Sequence, residues 1–229
     1  MIWFLKTMKT IGYRELENNM AIKKRRRLKK GFIILIIIII VLALVVLLVG
    51  KNLLSNNKKT NKVEVSDNIE EYGYELNDNE TKYYKSLFNE LKKELSESDV
   101  DEEKYASLLA QLFVTDFFNL DNKDNKNDIG GTQFVYADFQ SDFEKLAKES
   151  VYKTLENNMY DSRNQKLPIV TNTEVINVEK ITYEYLDTSD SEAYEVNIQI
   201  EYKEDLEYQD ECTIIIVHSN NKLEIVKMI

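Results

Sequence analysis

The chain has 229 residues, 31% of them charged, with 40 acidic against 30 basic side chains and a formal net charge of −10. A single Cys and a single His exclude an intramolecular disulfide and a Cys/His zinc cluster, and leave a Ser-His-Asp triad or Cys-His pair without support. The six glycines, Gly12, Gly31, Gly50, Gly73, Gly130 and Gly131, form neither a Walker A loop nor a Gly-x-Gly-x-x-Gly fingerprint, so nucleotide handling through those motifs is excluded too.

Residues 1–19 show no pattern that points to an element. Met20-Ala21-Ile22-Lys23-Lys24 reads as a conventional start, which gives the expectation that translation begins there; the alternative is a short cytoplasmic tail from Met1. A basic cluster follows, Lys23, Lys24, Arg25, Arg26, Arg27, Lys29 and Lys30, and then residues 32–49 run as FIILIIIIIVLALVVLLV without a charge. As a helix with its flanking glycines this segment spans roughly 30 Å, the thickness of the hydrocarbon core. Seven Lys or Arg precede it closely and four follow it (Lys51, Lys58, Lys59, Lys62), which places the N-terminus in the cytoplasm and the C-terminal part outside. Residues 1–30 carry net +8 and the chain beyond Gly50 carries net −18. A cleaved signal peptide is the alternative, but residues 47–51 offer only Gly50 for a small-x-small site. The segment is expected to be a single-pass signal-anchor, with the basic cluster as its topology signal.

Four regions are therefore expected: a basic cytoplasmic tail (1–30), a transmembrane helix (31–50), a flexible polar linker (51–78) and an extracytoplasmic α+β domain (79–229). The linker is rich in Asn, Lys, Ser, Asp and Glu, as a disordered tether would be, although Ile69, Tyr72 and Tyr74 could dock on the domain. A first helix is expected over about 80–95, with a stripe of Tyr84, Leu87, Phe88, Leu91 and Leu95. A second is expected to follow an Asp99 cap, with Tyr105, Leu108, Leu109, Leu112, Phe113 and Phe117 on one face.

The polar stretch 121–128 breaks the helical pattern and closes on Gly130-Gly131. A calcium loop fails there, because counting from Asp121 or Asp124 puts Lys123 or Lys126 at a ligand position. Helical spacing resumes over 133–155 through Val135, Phe139, Phe143, Leu146, Ala147, Val151, Tyr152 and Leu155. After Pro168 the period becomes two: Tyr194, Val196, Ile198, Ile200 and Tyr202 alternate with polar residues as in a half-buried strand. A change of parity between Val178 and Ile181 predicts a bulge near Glu179. Residues 212–217 suit a central strand in which Cys212 is a buried small hydrophobe, and Ser219-Asn220-Asn221-Lys222 turns into a final strand. His218, beside that turn, is expected to be exposed.

Three helices followed by about four antiparallel strands specify an α+β domain with its helices on one face of a bent sheet. This order resembles the nuclear-transport-factor-2-like cone fold. The whole plan, basic tail, single span, tether and domain, resembles the inner-membrane scaffold proteins of conjugative and type IV secretion systems. Asn127-Asp128-Ile129-Gly130-Gly131-Thr132-Gln133-Phe134-Val135-Tyr136 resembles a signature of uncharacterised membrane proteins from low-GC bacteria and implies no activity.

The tethered domain and the missing catalytic ensembles lead to the expectation of a non-catalytic, membrane-anchored interaction module, which the resemblance would make a scaffold component of an envelope or transfer complex, with the lipid bilayer and other envelope proteins as partners. The alternative is a small-ligand-binding domain with an apolar pocket between helices and sheet, lined by residues such as Phe113, Phe117, Phe139, Phe143 and Tyr183. Catalytic, metal and cofactor sites are not expected: acidic and Tyr residues are too numerous for composition to nominate a pair. The net −18 beyond Gly50 disfavours nucleic acid as a partner of the external domain.

Overall fold

A computed structural model describes residues 63–229. The basic cluster and the apolar run at 32–49 lie outside the described residues. Among the described residues, no helix is long and apolar enough to cross a membrane.

The first element is a hairpin, β1 (Val65–Ile69) and β2 (Tyr74–Asn77), closed through Gly73, whose φ of +70° suits the turn. The tether expected to reach residue 78 is thus folded from residue 65. One side of the hairpin faces the core: Ile69, Tyr74 and Leu76 are buried and Tyr72 packs against them. The Tyr74 hydroxyl lies 2.7 Å from that of Tyr105 and 3.1 Å from the Leu223 carbonyl, to which it donates. Composition misread this segment because its outward side chains are polar.

Helix α1 (Lys82–Glu94) starts where the Thr81 hydroxyl accepts from the Tyr84 amide, and it ends with Lys92 and Lys93 in its last turn, favourable at that end of the helix dipole. Helix α2 (Glu102–Phe118) is capped by Asp101, whose carboxylate accepts from the Lys104 amide; the expected cap, Asp99, lies two residues too early. Helix α2 is apolar around most of its circumference because it is covered on both sides, by α1 and by the sheet. Leu109, Leu112, Phe113 and Val114 have almost no exposure.

The expected helix over 133–155 is broken. Two 3-10 turns, Thr132–Phe134 and Ala137–Phe139, precede a ten-residue helix α3 (Gln140–Glu149). Backbone pairing overrides helical periodicity here: Val135 bridges to Ile225 in parallel, and the Tyr136 amide donates to the Ile225 carbonyl at 2.8 Å. Of the expected stripe, Val135, Ala147, Tyr152 and Leu155 are buried and Phe139, Phe143 and Val151 partly so, but Leu146 points outward.

The sheet is antiparallel in the order β3 (Val170–Tyr185), β4 (Thr188–Tyr202), β5 (Glu211–Ser219), β6 (Lys222–Met228). Among the described residues the architecture is therefore α+β, with three α-helices and a four-stranded antiparallel sheet, as the order of sequence patterns predicts. Register shifts in β3 fall at Val170/Asn172, Val175/Asn177 and Ile181/Tyr183, whereas Glu179, where a bulge is expected, pairs regularly with Glu195. Strand β5 is internal and buried on both faces. Ile214 and Ile216 join the main core, while Val217 joins a smaller cluster with Tyr185 and Ala193. Cys212 is buried.

Candidate functional site

An apolar cleft of about 410 Å³ lies between α2, α3 and β6. Phe113 and Phe117 of α2 form its floor with their rings stacked at 5.8 Å, and Phe143 of α3 tilts against both at 5.7 and 5.4 Å. Phe139, Leu146 and Val151 add one wall, and Ile225, Val226 and Met228 the other. Polar groups appear as Asp142, Ser150 and Lys227.

Local pairing explains why the space stays open. The start of α3 is held by the Gln140 side-chain amide, which donates to the Val135 carbonyl, and by the pairing of residues 135–136 with β6. Beyond its end, the buried Tyr152 hydroxyl donates to the Phe117 carbonyl at 2.8 Å. Between these fixed points only Ala147 of α3 is fully buried, and Leu146 is 64% exposed. A helix suspended at both ends leaves its middle off the floor.

A second constellation lies behind the floor, at the C-terminal end of α2. Lys123 follows the 3-10 turn Leu120–Asn122 and folds back, so that its ammonium contacts Asp116 Oδ1 and lies 3.9 Å from Glu80 Oε1. Asp116 Oδ2 accepts from the Gly131 amide at 2.7 Å, and Glu80 Oε2 accepts from the Asn122 side chain at 3.1 Å. All three charged side chains are nearly inaccessible to water. Burial, reinforced by the negative charge of Asp116, pushes the Glu80 carboxyl up to about 7 despite the opposing pull of Lys123. Burial works against the charge of Lys123, but the two carboxylates outweigh it and hold the ammonium above its usual range.

The glycines fix this geometry. A Cβ on Gly130 would sit 2.2 Å from the Asp116 carbonyl oxygen, and Gly131 has φ +78° with Phe113 2.6 Å from where its Cβ would be. The Gly130 amide donates to the Tyr152 hydroxyl. The NDIGG stretch is therefore the strap that closes on α2.

His218 is not a free turn residue. Asp190 Oδ2 accepts its backbone amide at 2.7 Å and lies 2.9 Å from Nδ1, while Nε2 is 3.6 Å from Glu102. Asp190 is held below the usual carboxylate range: burial opposes this, but the hydrogen bonds from the His218 and Glu192 amides outweigh it. The imidazole faces a second carboxylate rather than a hydroxyl, so the group joins β4, β5 and the first turn of α2 instead of forming a triad.

Among the expected pocket residues, the cleft gathers Phe113, Phe117, Phe139 and Phe143, whereas Tyr183 packs in the smaller cluster. The topology residues Lys23, Lys24, Arg25, Arg26, Arg27, Lys29 and Lys30 lie outside the described residues. Among the described residues no group of three or more His, Cys, Asp or Glu is arranged to hold a metal ion. Loop 121–128 is instead closed on itself, with the Asp124 amide donating to Asp128 Oδ2 at 2.9 Å. No family model, curated protein or solved structure matches the chain.

Proposed function

We propose that this chain is a non-catalytic binding module, anchored through residues 32–49 with its α+β domain outside the cytoplasm, and that the domain takes up a small apolar ligand in the cleft between α2, α3 and β6. The observation that carries the reading is the cleft itself: its volume is within the range of small-molecule sites, its floor is aromatic, and its few polar groups could orient a ligand. The resemblance of the order of elements to the nuclear-transport-factor-2-like cone fold, in which such a pocket lies between helices and sheet, supports the same reading. A scaffold role in an envelope or transfer complex is the second reading. It is favoured by Leu146, a large aliphatic side chain exposed beside the cleft where a partner's side chain could reach it.

Titration of the detergent-solubilised full chain with an environment-sensitive naphthalene fluorophore tests the first reading. Saturable enhancement at one site, weakened at least tenfold by Leu146→Asp without loss of the folded circular dichroism signal, supports it. Enhancement that never saturates, or that is indifferent to this substitution, refutes it. Crosslinking from Leu146→Cys in intact cells tests the second reading: a discrete protein adduct supports a scaffold role, and its absence removes it.

A further inference from the structure

The cleft makes no use of the charged cluster behind it. Lysine is almost never fully buried, and Lys123 is buried against a carboxylate in a site that has the parts of an acyl-transfer centre. An amine touches a carboxyl group, Lys123 Nζ on Asp116 Oδ1. The other carboxyl oxygen already receives a backbone N–H, from Gly131 at 2.7 Å, where negative charge would develop on attack. A second carboxyl, Glu80, stands 3.9 Å from the amine and is held in place by Asn122.

We propose that Lys123 and Asp116 condense to an intramolecular amide, a covalent cross-link between their side chains, with Glu80 as the proton carrier. The step needs no oxidant, reductant or co-substrate. The carboxylates favour the ammonium, so the step draws on the minor form in which Lys123 has passed a proton to Asp116, a neutral amine beside a neutral acid. The Nζ lone pair then attacks Cγ, and the charge that forms on Oδ2 is met by the Gly131 amide. Glu80 gives its proton to the departing hydroxyl, which leaves as water, and takes one back from Nζ. The N–C bond forms, one C–O bond breaks, and water leaves.

Three features favour product over ion pair. Fixed contact between amine and acid removes the entropy of bringing them together, worth effective molarities of about 10⁵ M or more where the reacting atoms are aligned. The product replaces two buried charges with a neutral amide and so relieves their desolvation. As an ion cluster, one ammonium faces two carboxylates; a proton on Glu80 balances the charge, and a protonated Glu80 is the form that can pass a proton on. The glycine strap gains a role as well, since a side chain at Gly130 or Gly131 would push the Gly131 amide away from Asp116.

Mass spectrometry of the full chain, isolated from cells and denatured, tests the proposal. The expected tryptic product is residues 105–126, uncleaved after Lys123 and lighter than its sequence by one water, with fragmentation joining Asp116 to Lys123. Lys123→Arg and Asp116→Ala should each give unmodified peptides. Glu80→Gln, which retains an acceptor for Asn122, should leave the water in place while circular dichroism stays native. A wild-type chain that yields residues 105–123 as a free peptide of full mass overturns the cross-link and leaves an ion pair only. A native Glu80→Gln chain that still loses water overturns the role of Glu80. The wild-type peptide decides the existence of the bond whichever variants fold.

Discussion

Tyr74→Phe separates a docked hairpin from a tether. The substitution keeps the ring and removes one hydroxyl that is buried between the Tyr105 hydroxyl at 2.7 Å and the Leu223 carbonyl at 3.1 Å. Tyr105 in turn accepts from the Leu223 amide at 3.3 Å, so the deletion removes two bonds from a chain of three in a site without water access. Leaving buried partners unsatisfied costs about 1–3 kcal/mol. For a domain of this size each kcal/mol lowers Tm by about 2–4 °C, so a fall of about 2–12 °C is expected. Thermal and urea unfolding of the full chain, followed by far-ultraviolet circular dichroism, should agree on the loss, with an unchanged urea m-value. An unaltered midpoint would mean that residues 65–77 contribute nothing to the folded state, and the account of the hairpin would fall with it.

Glu80, with its folded-state carboxyl pushed up to about 7, binds a proton more tightly when folded than when unfolded. Stability should therefore decline as pH rises from about 4.5 to 7, by up to about 3 kcal/mol, and Glu80→Gln should flatten that slope in urea titrations at several pH values. Gly130→Ala forces a methyl group onto the Asp116 carbonyl and should cost about 3 kcal/mol in the same assay; a neutral result would contradict the close approach of the strap. Cys212, whose thiol burial pushes up to about 12, should resist iodoacetamide at neutral pH in the native chain and react fully in denaturant. Asp190→Asn weakens the two bonds that hold His218 and should cost about 1–2 kcal/mol, read as a shift in the urea midpoint.

What the sequence made legible was whatever a regular period expresses. The stripe Tyr84, Leu87, Phe88, Leu91 is the buried face of α1, and the alternation from Tyr194 to Ile200 is the buried face of β4. The double-phase run 212–217 lies inside the sheet, where both faces meet apolar neighbours. Periods fail where long-range pairing decides the backbone, as at Val135 and Tyr136, which leave the helix to bond a strand ninety residues further on. The cleft escapes for a different reason: Phe113 and Phe143 belong to equally regular stripes whether their helices close on each other or stay apart. The charged cluster joins residues 80, 116 and 123, with no local pattern to connect them. Its one sequence signal is Asp116 itself, a lone acid within Phe113-Val114-Thr115-Asp116-Phe117-Phe118, where a helix otherwise buries every side chain.

The bond from Tyr74 to Leu223 joins positions 149 residues apart, between the first hairpin and the last strand. A nascent chain can therefore build α1 and α2 early, but it cannot seal the core until residue 223 has cleared the ribosome. Such distant closure slows folding and prolongs the exposure of unfinished apolar surface. Until then Phe113 and Phe117 lack the strand that closes the cleft above them, and whatever shields this aromatic floor in that interval acts before the protein has any function to perform.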